Sequence, residues 1–550
     1  MIAIICTTML SFACGKKTDP TPVPVVNNMV ILSVKADATD LGTSVPFGIA
    51  NTPVIRVACS EAIDKSSVSG GIVITDISGN EQAVSVAYEN NNATVVLTPN
   101  VSLKGLSKFL VRATTLLKSA KQVRLNAETT YSFVTQVDPM DKFPVISDEA
   151  LLDTVQRRTF QYFWNFGHPV SGLARERNTS GDIVTSGGSG FGIMAIPIAV
   201  ERKFITRAEG LTRMQKIVSF LKNTAQTFHG AFPHWLNGSS GKVIPFSPKD
   251  DGADLVETSY LMAGLITARQ YFNSSDGSEV TLRNDINILW NAVEWNWFRQ
   301  GGQQALYWHW SPNNLWAMNM KIQGWNECLI TYIMAASSNT DSIPSTVYHS
   351  GFARNGAIKN GSSFYGYTLP LGPTNGGPLF WAQYSFLGID PNGLSDTYAN
   401  YQTQVVNHTR INFEYCKSNP KAFYGYSAQC WGLTASDIPN GYSANEPNND
   451  IGVISPTAAL SSMPYTPTES MNALKYFYYK LGDKLFGEYG FYDAFSMKDL
   501  WFASSTLAID QGPIIIMIEN QRSKLVWNLL SQAPEIKRGM KQLGFAAPYL

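Results

Sequence analysis

The hydrophobic period of this chain changes once, close to residue 138, and that change decides most of what it can fold into. Ahead of it, runs such as "PVIRVACS", "GIVITD", "AVSVAYENNNATVVLTP", "KFLVRAT" and "TTYSFVTQ" alternate apolar and polar residues between turn-forming clusters. A period of two at this spacing predicts a small all-β sandwich over residues 28–138. Past the linker "QVDPMDKFP" the period turns helical. In "SDEALLDTVQRRTFQYFWNFG", Leu151, Leu152, Val155, Phe160 and Phe163 fall on one face, with Ser147 and Asp148 as start signals and Gly167 as a stop. Further helices are expected near 190–202, 206–228, 253–272, 280–299, 323–336, 378–387, 396–416, 456–462, 468–481, 503–508 and 512–532. Long loops rich in Gly, Pro and Asn join them, which suits an all-α (α/α)6 barrel over 139–550 better than a bundle. Such a barrel nests an inner ring of helices in an outer one and leaves a cleft at one rim. Two domains also agree with a length of 550 residues, too great for one ordinary core.

The amino-terminal stretch "MIAIICTTMLSFACGKKTDPTPVPVV" sets a short apolar segment before a small residue and Cys14, too short to span a bilayer. It reads as a signal peptide over 1–13. "SFAC" resembles a bacterial lipobox, although Ser11 and Phe12 depart from its commonest form and a basic n-region is missing. Lipidation at Cys14 is expected, followed by a Lys- and Pro-rich tether over 14–27. The expectation is an exported protein, periplasmic or an outer-membrane lipoprotein, touching the membrane only through that lipid; plain secretion is the alternative. Formal net charge is zero, from 42 basic and 42 acidic side chains without long runs, so nothing electrostatic favours a nucleic acid partner. A monomer is expected. Beyond the export segment stand Cys59, Cys328, Cys416 and Cys430, with no metal-type spacing. Cys416 and Cys430 are close enough in sequence for a disulfide loop, and four unpaired buried thiols are the other reading.

"PKDDGADLVETSYLMAGL" crowds Asp250, Asp251, Asp254 and Glu257 where a helix should begin. In a helix Asp250, Asp254 and Glu257 would share one face, and like charges there repel. The dipole of a first turn accounts for the aspartates better than for Glu257, which precedes an apolar run. Glu327, in "KIQGWNECLITYIMAA", stands between an aromatic-rich segment and an apolar helix. Desolvation there should lift its pKa into the range of a general acid, with helix capping or ion pairing as the plainer reading. Asp510, in "FASSTLAIDQGPIIIMIENQRS", lies between an apolar helix end and a "QGP" turn, either projecting into a cleft or capping the next helix. Cleaving a glycosidic bond takes one carboxylic acid to protonate the leaving oxygen and one carboxylate to activate water or attack the sugar. Aromatic residues, 12% of the chain, could stack on sugar faces or equally fill a large helical core. Other constellations are weaker. His229 and His234 flank a proline with no third metal ligand evident, and "TSGGSGFG" at 185–192 lacks the Lys of a phosphate loop and reads as a loop entering a helix.

The run "SEAIDKSSVSGGIVITD" resembles bacterial Ig-like modules. Taken in order, "RTFQYFWNFGHPVSGLARERN", "GGSGFGIMAIPIAVERKFITRAEGLTRMQKIVSFL", "FPHWLNG", "DDGADLVETSYLMAGLI", "GWNECLITYIMAASS", "CWGLTASD" and "AIDQGPIIIMIEN" resemble glycoside hydrolase family 144, bacterial β-1,2-glucanases once labelled glucoamylases. The resemblance covers about residues 145–550. It implies an (α/α)6 barrel that hydrolyses β-1,2-glucan or its oligosaccharides with inversion, without a metal or other cofactor. It also implies an acidic cluster at Asp250, Asp254 and Glu257, a general acid at Glu327 and a cleft carboxylate at Asp510. Arg175, Arg177, Trp235, Trp308, Trp310 and Trp325 lie in segments expected to line the subsites. Several carboxylates compete as base, and a water relay through a substrate hydroxyl is the other route. If the sandwich covers one end of the cleft, sophorose would leave from a chain end; if it only spaces the barrel from the membrane, cleavage is internal, and the covered form is the expectation. A glycan-binding surface lipoprotein without catalysis and an α-glucan hydrolase on the same barrel are the alternatives.

Overall fold

The computed structural model describes residues 28–42 and 44–550, so the signal peptide, the tether and the lipidation site at Cys14 lie outside the described residues. The chain divides into two compact units, Met1–Asp138 and Pro139–Leu550. The first holds β1 (Ile31–Ala36), β2 (Thr39–Asp40), β3 (Ile55–Cys59), β4 (Ile72–Asp76), β5 (Val84–Glu89), β6 (Thr94–Pro99), β7 (Lys108–Ala113) and β8 (Thr129–Val134). They form two antiparallel sheets, in the orders β2-β1-β3-β6-β5 and β4-β7-β8. Alternate residues point inward, Ile55 and Val57 from β3, Phe109 and Val111 from β7, and they meet Ile74, Leu97 and Phe133 in one core. The β5–β6 turn takes Asn90, Asn91 and Asn92 into the left-handed region, which asparagine tolerates better than most residues.

The second unit is rich in helices of two kinds. α1 (Asp148–Trp164), α3 (Arg207–Asn223) and α5 (Gly277–Ala292) bury one face each, whereas α2 (Ser186–Glu201), α4 (Leu255–Tyr271), α6 (Leu329–Ser337) and Ala508–Arg522 are buried almost all round. A helix without a polar face has to be enclosed by others, so the amphipathic helices form the shell and the apolar ones the interior. α2 packs against both α4 and Ala508–Arg522. Glycine allows the approach: a Cβ on Gly190 would lie 2.3 Å from the Tyr260 carbonyl oxygen, and one on Gly264 would lie 2.3 Å from that of Gly190. Each glycine costs a helix about 1 kcal/mol relative to alanine, and close packing offsets it.

Several expected elements differ. "TSGGSGFG" is helical from Ser186 onward, because its small residues are what let α2 enter between its neighbours. No helix covers 503–507; Trp501–Phe502 is a short strand, and "QGP" lies inside Ala508–Arg522, so Asp510 occupies a first helical turn. The helix expected over 512–532 breaks at Lys524, whose φ is +59°, and resumes as Leu525–Ser531. Cys59, Cys328, Cys416 and Cys430 are free and buried, so the disulfide alternative is not realised. Among the described residues no helix is long and apolar enough to cross a membrane.

Gly264→Ala should destabilise the protein by about 1–3 kcal/mol through overpacking. Gly277→Ala, at the exposed start of α5 with nothing within 4 Å of the new Cβ, should leave stability unchanged or slightly raised. Thermal unfolding of the two variants beside the wild type checks the pair.

Candidate active site

A cavity of about 480 Å³ opens in the helical unit, walled by Glu257, Glu327, Glu176, Arg177, His234 and the rings of Trp235, Trp308, Tyr260, Tyr384 and Tyr442, among others. Its acidic wall is organised by Asp254. This residue is the N-cap of α4: Oδ1 accepts from the amides of Val256 (3.0 Å) and Glu257 (2.9 Å). Oδ2 lies 3.0 Å from His234 Nδ1. Wholly buried, Asp254 does not line the cavity but fixes two residues that do. Ala253–Asp254 pairs with His309–Trp310 as a short antiparallel ladder, which brings in a second histidine. His309 Nδ1 lies 3.3 Å from the buried Asp250 Oδ1 and 3.9 Å from Asp254 Oδ2.

The electrostatics follow from this pairing. Burial opposes charge on His234, but Glu257 and the bond to Asp254 outweigh it and lift its pKa to about 9. Burial likewise opposes charge on Asp254, yet the two histidines and the α4 amides hold it below the usual carboxylate range. Glu257 is raised by burial, with Asp254 adding, while His234, the Gly187 amide and the Thr185 hydroxyl favour its anion. Gly187 N and Thr185 Oγ1 donate to Glu257 Oε2 at 2.7 and 3.2 Å. A Cβ on Gly187 would fall 2.5 Å from that oxygen, so the glycine-rich start of α2 is a carboxylate cradle.

Glu327 stands just ahead of α6, its carbonyl held by the hydroxyls of Ser385 and Tyr260. Burial pushes its carboxyl up to about 7, its own backbone N–H opposing and Glu257 and Asp254 adding. The desolvation expected from its neighbours is therefore seen, and Glu327 lines the cavity. Asp510 does not line it. Buried in the first turn of Ala508–Arg522, it neighbours the equally buried Asp493; desolvation raises both carboxyls, the charge of Asp437 adding at Asp493 and those of Asp493 and Asp437 at Asp510, so Asp510 keeps its proton and shares it with Asp493. Asp493 Oδ2 accepts from Asp437 N (2.6 Å), and Asp437 in turn receives Arg177 Nη1 at 3.1 Å.

Arg177, Trp235 and Trp308 reach the cavity as expected, but three other candidates do not. Arg175 spends its guanidinium on the carbonyls of Gly181 (2.7 Å) and Phe166 (2.6 Å) and braces a loop. Trp310 belongs to a ring cluster with His229 and Trp297, and Trp325 is core, against Phe386 and Tyr401. His229 and His234 do not come together as a metal pair; donor atoms of His234, Asp250 and Asp254 lie within 4.8 Å of one another and could hold a cation. In this structure His234 pairs with Asp254, and Asp250 with His309.

A family model described as "Putative glucoamylase" matches residues 319–534, and one for a bacterial Ig-like domain matches 35–135. An endo-β-1,2-glucanase from Chitinophaga pinensis, solved with sophorotriose and glucose, is 52% identical with a TM-score of 0.72, over 74% of this chain and 100% of its own. The chain belongs to glycoside hydrolase family 144. A β-1,2-glucanase structure from Parabacteroides distasonis is 37% identical with a TM-score of 0.71, over 95% of this chain and 73% of its own. An exo β-1,2-glucooligosaccharide sophorohydrolase from the same organism is 45% identical over 421 residues, 72% of this chain; the chain spans 58% of that relative's length.

Sequence reasoning missed much of the wall in this family 144 chain. Tyr260 follows Glu257 by one helical turn, a signal that was available. Glu176 and Phe246 come from loops, Phe380 and Tyr384 from one helical stretch and Tyr442 from a hairpin strand, and only the fold assembles them.

Because the folded protein holds the Glu327 proton to about pH 7 against 4.5 for an unperturbed carboxyl, its stability contribution is complete below pH 4.5 and is lost as pH rises through 7. Glu327→Gln should therefore be nearly neutral at pH 4.5 and raise stability by roughly 3 kcal/mol at pH 8, read from chemical unfolding at both values.

Proposed function

We propose that this protein is a glycoside hydrolase that cleaves β-1,2-glucan or its oligosaccharides with inversion and releases sophorose from a chain end. The observation that carries the reading is the Glu327 carboxyl, protonated near neutrality and facing a cavity walled by indole and phenol rings. Glu327 donates its proton to the departing glycosidic oxygen. Glu257, steadied as an anion by the Gly187 amide, the Thr185 hydroxyl and the His234 imidazolium, accepts the proton of the attacking water. Trp235 and Trp308 offer stacking faces to the sugar, and Arg177 supplies hydrogen-bond donors. The activities of the relatives, endo in one and exo with sophorose in another, support the substrate class. The enclosed and enclosing helices support an (α/α)6 barrel. Export with lipidation at Cys14, a periplasmic or outer-membrane location and a monomeric state complete the proposal, resting on the amino-terminal sequence and the balanced charge.

Chromatography of products from linear β-1,2-glucan, with the anomer followed by NMR, tests this. Disaccharide from the earliest times with inverted configuration is expected, and Glu327→Gln should lower kcat by about 10²–10⁴. The acid must be protonated to act, so kcat/KM should fall as pH rises past about 7. A ladder of lengths would mean internal cleavage, and an inert wild type that still binds glucan would favour the glycan-binding alternative. Azide should restore turnover to Glu257→Ala; rescue of Asp510→Ala instead would move the base to Asp510.

A further inference from the structure

A second, open depression of about 340 Å³ lies beside the cavity, lined by Thr179, Ile438, Trp501, Phe502 and Ser504 among others, with Arg177 and Asp437 at its edge. Arg177 lines both spaces. The hairpin formed by Ala435–Ile438 and Gly441–Ala444 shows how they join. Its register sets Ala435 opposite Ala444 and Asp437 opposite Tyr442. Opposed residues, and residues two apart on a strand, share a face. Ala435, Ala444 and Tyr442 line the cavity, and Asp437, on that same face, lines the depression. One sheet face thus runs from the cavity toward the depression, and the two spaces adjoin along it at Arg177.

The lining of the outer part is chemically mixed. Trp501 is half-buried and stacks on no other ring among the described residues, which leaves its indole available. Its strand neighbour Phe502 is anchored on Phe495, ring centroids 5.6 Å apart and nearly parallel. Ser504 and Thr179 add exposed hydroxyls. Arg177 donates through Nε to Glu176 and through Nη1 to Asp437, and Nη2 has no hydrogen-bond partner among the described residues. An indole face, hydroxyls and an ion pair balanced on both sides suit a neutral polyhydroxylated chain; an anion would meet Asp437, and a purely apolar ligand would desolvate the ion pair.

We propose that this depression is a further sugar subsite, which takes the part of the glucan chain that extends beyond the cavity, with Trp501 as stacking platform and Arg177 Nη2 as hydroxyl donor. The proposal rests on the hydrolase reading above. It means that substrate leaves the cavity on the hairpin side and that chain-length preference is set partly by Trp501, a residue remote from Glu327 and Glu257 in the wall.

The test compares kcat/KM of the full-length wild type, Trp501→Ala and Trp501→Phe on long linear β-1,2-glucan and on the shortest β-1,2-gluco-oligosaccharide the wild type cleaves. Trp501→Ala should lose roughly three- to tenfold on the long substrate, mainly through KM, keep its rate on the short one, and be largely rescued by Trp501→Phe. Equal losses on both substrates would make Trp501 structural, and no loss on the long one would leave the depression unoccupied; either overturns the subsite while the hydrolase reading stands. A wild type inert toward every length would sink that reading, and the subsite with it.

Discussion

The carboxylate of Asp254 is the interaction on which the rest of the site depends. It is wholly buried, yet each oxygen is engaged: two amides of the α4 first turn on one, His234 on the other. A buried carboxylate without partners would cost several kcal/mol and would take up a proton instead. Here the donors favour the anion, and the anion does three things at once. It caps α4, which fixes the backbone of Glu257; it keeps His234 charged; and it orients that ring so that the cation stands in the cavity wall.

The second dependence is steric. Glu257 is useful only if something favours its anion without burying it among other acids, and the start of α2 supplies that through Gly187 N. For a helix end to come so close, α2 has to press against α4, and the Gly190–Gly264 contact allows it. The same residues therefore set the packing of the interior and the protonation of the wall. Glu327, across the cavity, receives no comparable set of donors, and desolvation governs it. Burial raises both glutamates, but only Glu257 has an amide, a hydroxyl and an imidazolium to favour its anion, a difference in environment that suits one to the base and the other to the acid.

This asymmetry explains what the sequence could and could not reveal. The change of period near residue 138 is a property of consecutive residues, and the two units follow it. Glu327 was legible because its desolvation comes from apolar neighbours in the chain itself. Arg175, Trp310 and Trp325 were misplaced because an arginine or indole facing sugar and one bracing a loop or filling a core look alike in a string. His234 and Asp493 matter through partners far away in sequence, Asp254 and Asp510, and no local pattern announces either pairing. The glycines of "TSGGSGFG" were visible, but their meaning lay in the helix they touch.

The remaining charges near the cavity share one feature: each is already compensated. Arg177 is held between Glu176 and Asp437, His309 faces Asp250, and Asp493 and Asp510 keep a proton between them. Were that last pair doubly ionised, the single guanidinium of Arg177 would face an excess of buried negative charge, and its bond to Asp437 would weaken. A neutral sugar chain entering such a space has no unpaired charge to desolvate on its way in. Among the described carboxylates that line the cavity, Glu257 and Glu327 are the two that make no salt bridge, and those are the two whose protonation the proposed reaction changes. Charge compensation elsewhere in the wall thus confines proton exchange to the pair that can use it.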